Sequence, residues 1–230
     1  MEQLESCPYK ETCYKYKNNS CAENLFCIKA FKLDQLSDQA LLTIPQRKYI
    51  PLRLDKDECD KKAFAILKDI ENNIQSNINL GFNIYLYSHT YGCGKTAWSL
   101  RLLNKWLDTI WHSSDIKCRG LFVHIPRFLM SLKDNLFIEK NQYAQHIKEN
   151  ALDADLVIWD EIGSKGFTEF ETENVLTLIN ARISAGKSNI YTSNLSPEEL
   201  RQSVGERLYS RIINQSQVIE LVGLDKRGLL

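Results

Sequence analysis

His89-Thr90-Tyr91-Gly92-Cys93-Gly94-Lys95-Thr96 joins a short run of aromatic and branched residues, Asn83 to Ser88, to a helical pattern from Ala97 to Ile110. A phosphate presents several acceptor oxygens and negative charge. A loop that binds one needs glycine where side chains would block the backbone N–H groups, a lysine for the outer phosphates and a hydroxyl for magnesium. Gly92, Gly94, Lys95 and Thr96 supply these, and the following helix adds its positive end. His89 departs from the pattern G-x-x-x-x-G-K-[ST], because it stands where the first glycine would be. His89, Thr90, Tyr91 and Cys93 complete the expected nucleotide loop, with Cys93 contributing its backbone rather than its sulfur.

Three groups elsewhere in the chain complete such a site. Leu156-Val157-Ile158-Trp159-Asp160-Glu161 reads as a buried strand ending in two carboxylates. Asp160 would stand beside a magnesium held by Thr96, and Glu161 could polarise an attacking water. Asn194 ends the strand Asn189-Ile190-Tyr191-Thr192-Ser193, where an amide can orient water against the outermost phosphate. Arg207 and Arg211 share one helix face and could meet the phosphates of a neighbouring subunit. Each has a plainer alternative: a solvated loop start for the carboxylates, paired surface arginines for the helix.

Working outward, strands and helices alternate. A helix or two short turns is expected over 28–42, then an extended connector around Pro45 and Pro51. A helix follows from Asp57 to Asn79, with apolar Ala63, Ile66, Leu67, Ile70 and Ile74 at intervals of three and four. Further strands are expected at 120–126 and 217–222, and further helices over 127–151, 168–185 and 205–213, with another starting at Ser196-Pro197. Apolar strands alternating with helices predict an α/β fold with a parallel sheet covered on both faces.

The chain has 230 residues, 43% of them hydrophobic, and balances 29 Lys and Arg with 29 Asp and Glu. That is enough for one core and a small appendage, and it excludes disorder throughout. The acidic start Met1-Glu2-Gln3-Leu4-Glu5 and the lack of a long apolar run predict a cytoplasmic protein without membrane contact. Neutral charge means that any nucleic-acid contact must be a local patch. Arg127, Lys133, Lys140 and Lys165 are candidates, although such side chains are more often simply solvated.

Four of the seven cysteines, Cys7, Cys13, Cys21 and Cys27, fall near the N-terminus with gaps of five, seven and five. Four thiolates can close a tetrahedral zinc shell whose binding energy replaces a missing core. An iron–sulfur cluster would use the same ligands, disulfides are disfavoured in a reducing cytosol, and unconnected cysteines are the bland alternative. Zinc is the preferred reading. A boundary near residue 45 divides a cysteine-rich segment, 1–45, from a nucleotide-binding domain, 46–230.

Gly92 to Thr96, the strand into Asp160-Glu161, the run Ile190-Tyr191-Thr192-Ser193-Asn194-Leu195-Ser196-Pro197-Glu198-Glu199-Leu200, and Glu206-Arg207-Leu208-Tyr209-Ser210-Arg211-Ile212 together resemble the AAA+ ATPases of the DnaC/DnaI replicative-helicase-loader group. Phage-encoded relatives and the IstB transposition helpers are similar too. The resemblance spans about residues 50–222. It implies an AAA+ P-loop core without a C-terminal lid, ATP and Mg2+ on Lys95 and Thr96, Asp160 and Glu161 as the Walker B pair, Asn194 as sensor, and Arg211 with Arg207 acting in trans. It also implies an N-terminal module that grips a DnaB-type helicase, single-stranded DNA as a partner, and ATP-dependent self-association. Two other functions are compatible with these motifs: an IstB-like transposition helper, and a nucleotide-dependent module that inhibits a replication protein.

Overall fold

A computed structural model describes residues 27–47, 58–113, 115–134 and 142–225. Its elements, in chain order, are α1 (Ile28–Gln39), α2 (Ile44–Arg47), a 3-10 turn (Glu58–Asp60), α3 (Lys61–Asn72), α4 (Ile74–Asn79), β1 (Asn83–Tyr87) and α5 (Lys95–Ile110). Then come β2 (Gly120–His124), α6 (Ile125–Asp134), α7 (Gln142–Asn150), β3 (Leu156–Asp160), α8 (Glu169–Ser184), β4 (Ser188–Ser193), α9 (Pro197–Val204), α10 (Glu206–Ile213) and β5 (Gln217–Glu220).

The five strands form one sheet in the order β2-β3-β4-β1-β5. Every pairing is parallel. Side chains alternate across a strand, so a strand buried on both faces serves two cores. In β3, Leu156 and Ile158 join the cluster containing Trp98, Leu102 and Trp106 of α5. Val157 and Trp159 join the opposite cluster with Phe128, Val175 and Ile179. β3 is buried along its whole length, and it places Asp160 at the carboxyl edge between β2 and β4.

Caps set two of the helix starts. Thr168 and Glu171 exchange side-chain and backbone bonds at the head of α8, and Ser196 and Glu199 do so at α9, with Pro197 in the first turn. Arg182 is fully buried on α8 and donates to the carbonyls of Ala151, Ala154 and Ser188 and to Asn189 Oδ1. It thereby ties α8 to the segments entering β3 and β4.

Several expectations change. The connector expected to be extended holds the helical turn α2, because Thr43 gives its N–H and hydroxyl to Gln46 Oε1 at 2.8 and 2.9 Å. The helix expected over 57–79 is broken at Asn73, whose side chain donates back to the Asp69 carbonyl. Ile125-Pro126 opens α6 rather than ending a strand, proline being well tolerated in a first turn.

The segment before residue 45 is joined to the sheet. Leu36, Ala40 and Leu42 belong to the cluster of Trp98 and Ile158. Phe122 N–H donates to the Ala40 carbonyl at 2.9 Å, and buried Lys29 meets Asp108 of α5 at 2.5 Å. Residues 28–42 are therefore part of the same core as the sheet. Cys7, Cys13 and Cys21 lie outside the described residues.

Candidate active site

The loop leaving β1 closes on α5 with Gly92 and Gly94 at φ 71° and 109°, backbone that a side chain at either position would strain. His89 is not in that region: among the described residues only Leu41 and Glu161 are non-glycine with positive φ. The position of the missing glycine thus asks for no special conformation. The imidazole is more than half exposed, 3.6 Å from Glu199 on α9 and edge-on to Tyr87. Tyr91 is exposed and Cys93 buried.

Lys95 folds its ammonium back over the loop, donating to the carbonyls of Ser88 and Thr90 at 3.3 and 3.2 Å. Neutral acceptors hold it where a phosphate oxygen would bind more strongly. Thr96, one residue on, donates its hydroxyl to Asp160 Oδ1 at 2.9 Å. Thr192 of β4 donates to the same oxygen at 2.7 Å and accepts from the Glu161 N–H at 3.1 Å. Two strand ends, of β3 and β4, and the loop helix therefore meet on one carboxylate.

Burial pushes the Asp160 carboxyl above the ordinary aspartate range, the two hydroxyls and His124 oppose that, and neighbouring Glu161 adds to it. Glu161 sits at φ 59° with its side chain half exposed. His124 ends β2 directly across from Asp160 in the strand register, and its Nε2 lies 3.3 Å from Glu161 Oε2. Asn194 follows β4, between β3 and β1 in the sheet, at the same carboxyl edge.

The arrangement fits a nucleoside triphosphate with a hard divalent cation: a left-handed glycine loop, an ammonium, and a hydroxyl beside a carboxylate. Thr192 and His124 carry no role in the motif reading. Both are brought in by strand register, and their only sequence signal is a polar residue at the carboxyl end of an apolar strand.

The remaining candidates lie elsewhere. Arg207 pairs with Glu173 of α8 at 2.7 Å, while exposed Arg211 on the same helix makes no ion pair among the described residues. Among the nucleic-acid candidates, Lys133 and Lys165 both bind buried Glu171, at 3.1 and 3.0 Å, and Arg127 stacks 4.1 Å from the Tyr143 ring centre. Lys140 lies outside the described residues. Cys27 is the exposed cap of α1, its Sγ accepting from Ala30 N–H at 3.4 Å. Burial raises the Cys118 thiol to about 12, and Cys59 is exposed. No helix among the described residues is long and apolar enough to cross a membrane.

No protein-family model matches the sequence, and no curated protein is similar to it. Solved structures are. The DnaC helicase loader superposes with a TM-score of 0.59 at 20% identity, over 75% of this chain and 98% of its own. A putative primosome component from Streptococcus pyogenes serotype M3 gives 0.61 at 18% identity, over 83% and 96%. DnaI gives 0.57 at 17% identity, over 83% and 93%. The sheet order, the glycine loop before α5 and these superpositions give one result: the chain shares its fold with the DnaC helicase loader and DnaI.

Proposed function

We propose that this protein is an ATP-dependent loader that places a hexameric DnaB-type replicative helicase on single-stranded DNA. The observation that carries the reading is the likeness to the DnaC helicase loader over nearly all of that chain, joined to a loop, hydroxyl and carboxylate set suited to ATP and Mg2+. Magnesium, when bound, would neutralise phosphate charge as it develops. Gly92, Gly94 and the N-terminus of α5 wrap the phosphates, Lys95 exchanges its loop carbonyls for phosphate oxygens, and Thr96 and Asp160 hold the cation. Glu161 accepts a proton from the attacking water and Asn194 orients it. Arg211 reaches the site of an adjacent subunit, so ATP promotes self-association. Arg207, held by Glu173, supports that helix face.

Cys7, Cys13, Cys21 and Cys27 bind zinc in an N-terminal module that grips the helicase. Cys27 caps α1, where the helix dipole favours a negative ligand. Ion pairing of Lys133 and Lys165 with Glu171 leaves one positive charge over that pair, which suits a DNA contact of modest strength.

Lys95→Ala is expected to weaken ATP binding by about a hundredfold or more, roughly 2.7 kcal/mol, measured by calorimetry. Unchanged affinity would remove the nucleotide site from this reading. Co-purification with a replicative helicase, compared with a transposase, tests the loader itself.

A further inference from the structure

Asp160 uses one oxygen twice. Both hydroxyl donors, Thr96 and Thr192, go to Oδ1, so Oδ2 has no hydrogen bond among the described residues. His124, directly across in the register, offers Nε2, and Glu161 offers Oε2 at 3.3 Å from it. Ligand atoms from His124, Asp160 and Glu161 all lie within 4.8 Å of one another. Two features keep the set in place. His124 and Asp160 end paired strands, and the left-handed backbone of Glu161 is tied by N–H bonds from Glu161 and Ile162 to the Thr192 hydroxyl and carbonyl.

An imidazole with two carboxylates is a poor match for magnesium, which keeps an oxygen shell, and a good one for divalent transition ions such as zinc, manganese or cobalt. We propose that His124, Asp160 and Glu161 form a binding site for a divalent transition-metal ion, one that shares Asp160 with the cation position at Thr96 but does not use the Thr96 hydroxyl. An ion bound there engages both Glu161 and Asp160. Binding requires neither nucleotide nor the helicase-loader reading. Its effect on turnover does rest on that reading: with Glu161 coordinated, no carboxylate is left to accept the water's proton, so such an ion inhibits hydrolysis.

The test titrates the full-length protein without nucleotide with Mn2+, following loss of the free-ion electron paramagnetic resonance signal. Manganese is chosen because cysteine thiolates hold it poorly compared with zinc. The expected result is saturable uptake that falls about tenfold or more in His124→Asn and in Glu161→Gln, the scale on which losing a metal's protein contacts weakens binding. Lys95→Ala should leave it intact. No uptake, or uptake that His124→Asn leaves unchanged, overturns the proposal. His124→Asn should retain Mg2+-ATP binding and its melting temperature, showing that the loss is local. With wild-type protein hydrolysing in Mg2+, added Zn2+ should inhibit at about tenfold lower concentration than with His124→Asn. Equal inhibition of the two would overturn the inhibitory role while leaving ATP binding itself unaffected.

Discussion

Asp160 stands at the carboxyl end of a fully buried strand, and its charged form is disfavoured there despite two hydroxyl donors. A carboxyl whose folded value is raised binds its proton more tightly in the native state. The native state is therefore penalised as pH rises from the unfolded value through the folded one, and the penalty is complete above the folded value. Asp160→Asn keeps an acceptor for Thr96 and Thr192 without the charge. It should raise the melting temperature while weakening Mg2+-dependent nucleotide binding. A lower melting temperature in thermal unfolding at pH 7 would contradict this. Glu171 shows the opposite sign. Burial alone would raise it, but the Thr168 backbone N–H and the ammoniums of Lys165 and Lys133 outweigh burial and hold it at about 2. Its stabilisation is present above the ordinary value of 4.5 and is lost as pH falls through about 2. Glu171→Gln should cost roughly 1–2 kcal/mol at pH 7, because its half-exposed lysines are screened by solvent. Denaturant titrations should show the difference from wild type shrinking between pH 4.5 and 2.

Among the elements, those with strong local signals were legible in the sequence. β3 is a continuous apolar run, α5 repeats its apolar residues at helical spacing, and the glycine loop lies between β1 and α5. Elements decided by tertiary contact were not. Nothing near His124 in the chain announces Glu161; parallel pairing of β2 with β3 brings them together. Thr192 reads as an ordinary β-branched strand residue until register sets it beside Asp160. The break at Asn73 turns on a side chain competing for a backbone carbonyl, which apolar periodicity does not report. The arginine pair was visible as spacing, whereas the Arg207 bond to Glu173 crosses two helices. Arg182 is a buried staple whose partners come from two segments of the chain, those entering β3 and β4. Burial lowers its guanidinium to about 10. Arg182→Met would leave the carbonyls of Ala151, Ala154 and Ser188 without that donor. At about 1 kcal/mol for each, urea unfolding should show a loss of about 3 kcal/mol; a loss below about 1 kcal/mol would mean that water replaces the guanidinium.

At the scale of the whole molecule, the carboxyl edge that carries Asp160 and the helix that carries Arg211 are separate elements, β3 and α10. Exposed Arg211 makes no ion pair among the described residues, as a group directed toward another copy would require. Subunits carrying Arg211→Ala and subunits carrying Glu161→Gln should each hydrolyse ATP poorly. Mixed in equal amounts, they should recover a substantial fraction of wild-type turnover, because some interfaces then join an intact Glu161 to an intact Arg211. Steady-state ATPase rates of the mixture check this, and an absence of recovery would confine Arg211 to its own subunit. The packing of α1 bears on how the parallel sheet can be separated from what precedes it. A shortened protein beginning at residue 46 would lose Leu36, Ala40 and Leu42 from the main cluster, together with the partner of Asp108. At roughly 1.5–3 kcal/mol for each leucine, that is a large share of the about 5–15 kcal/mol by which a typical domain is stable. One beginning at Cys27 keeps these contacts, so excision at the junction suggested by the prolines would remove part of the sheet's own foundation.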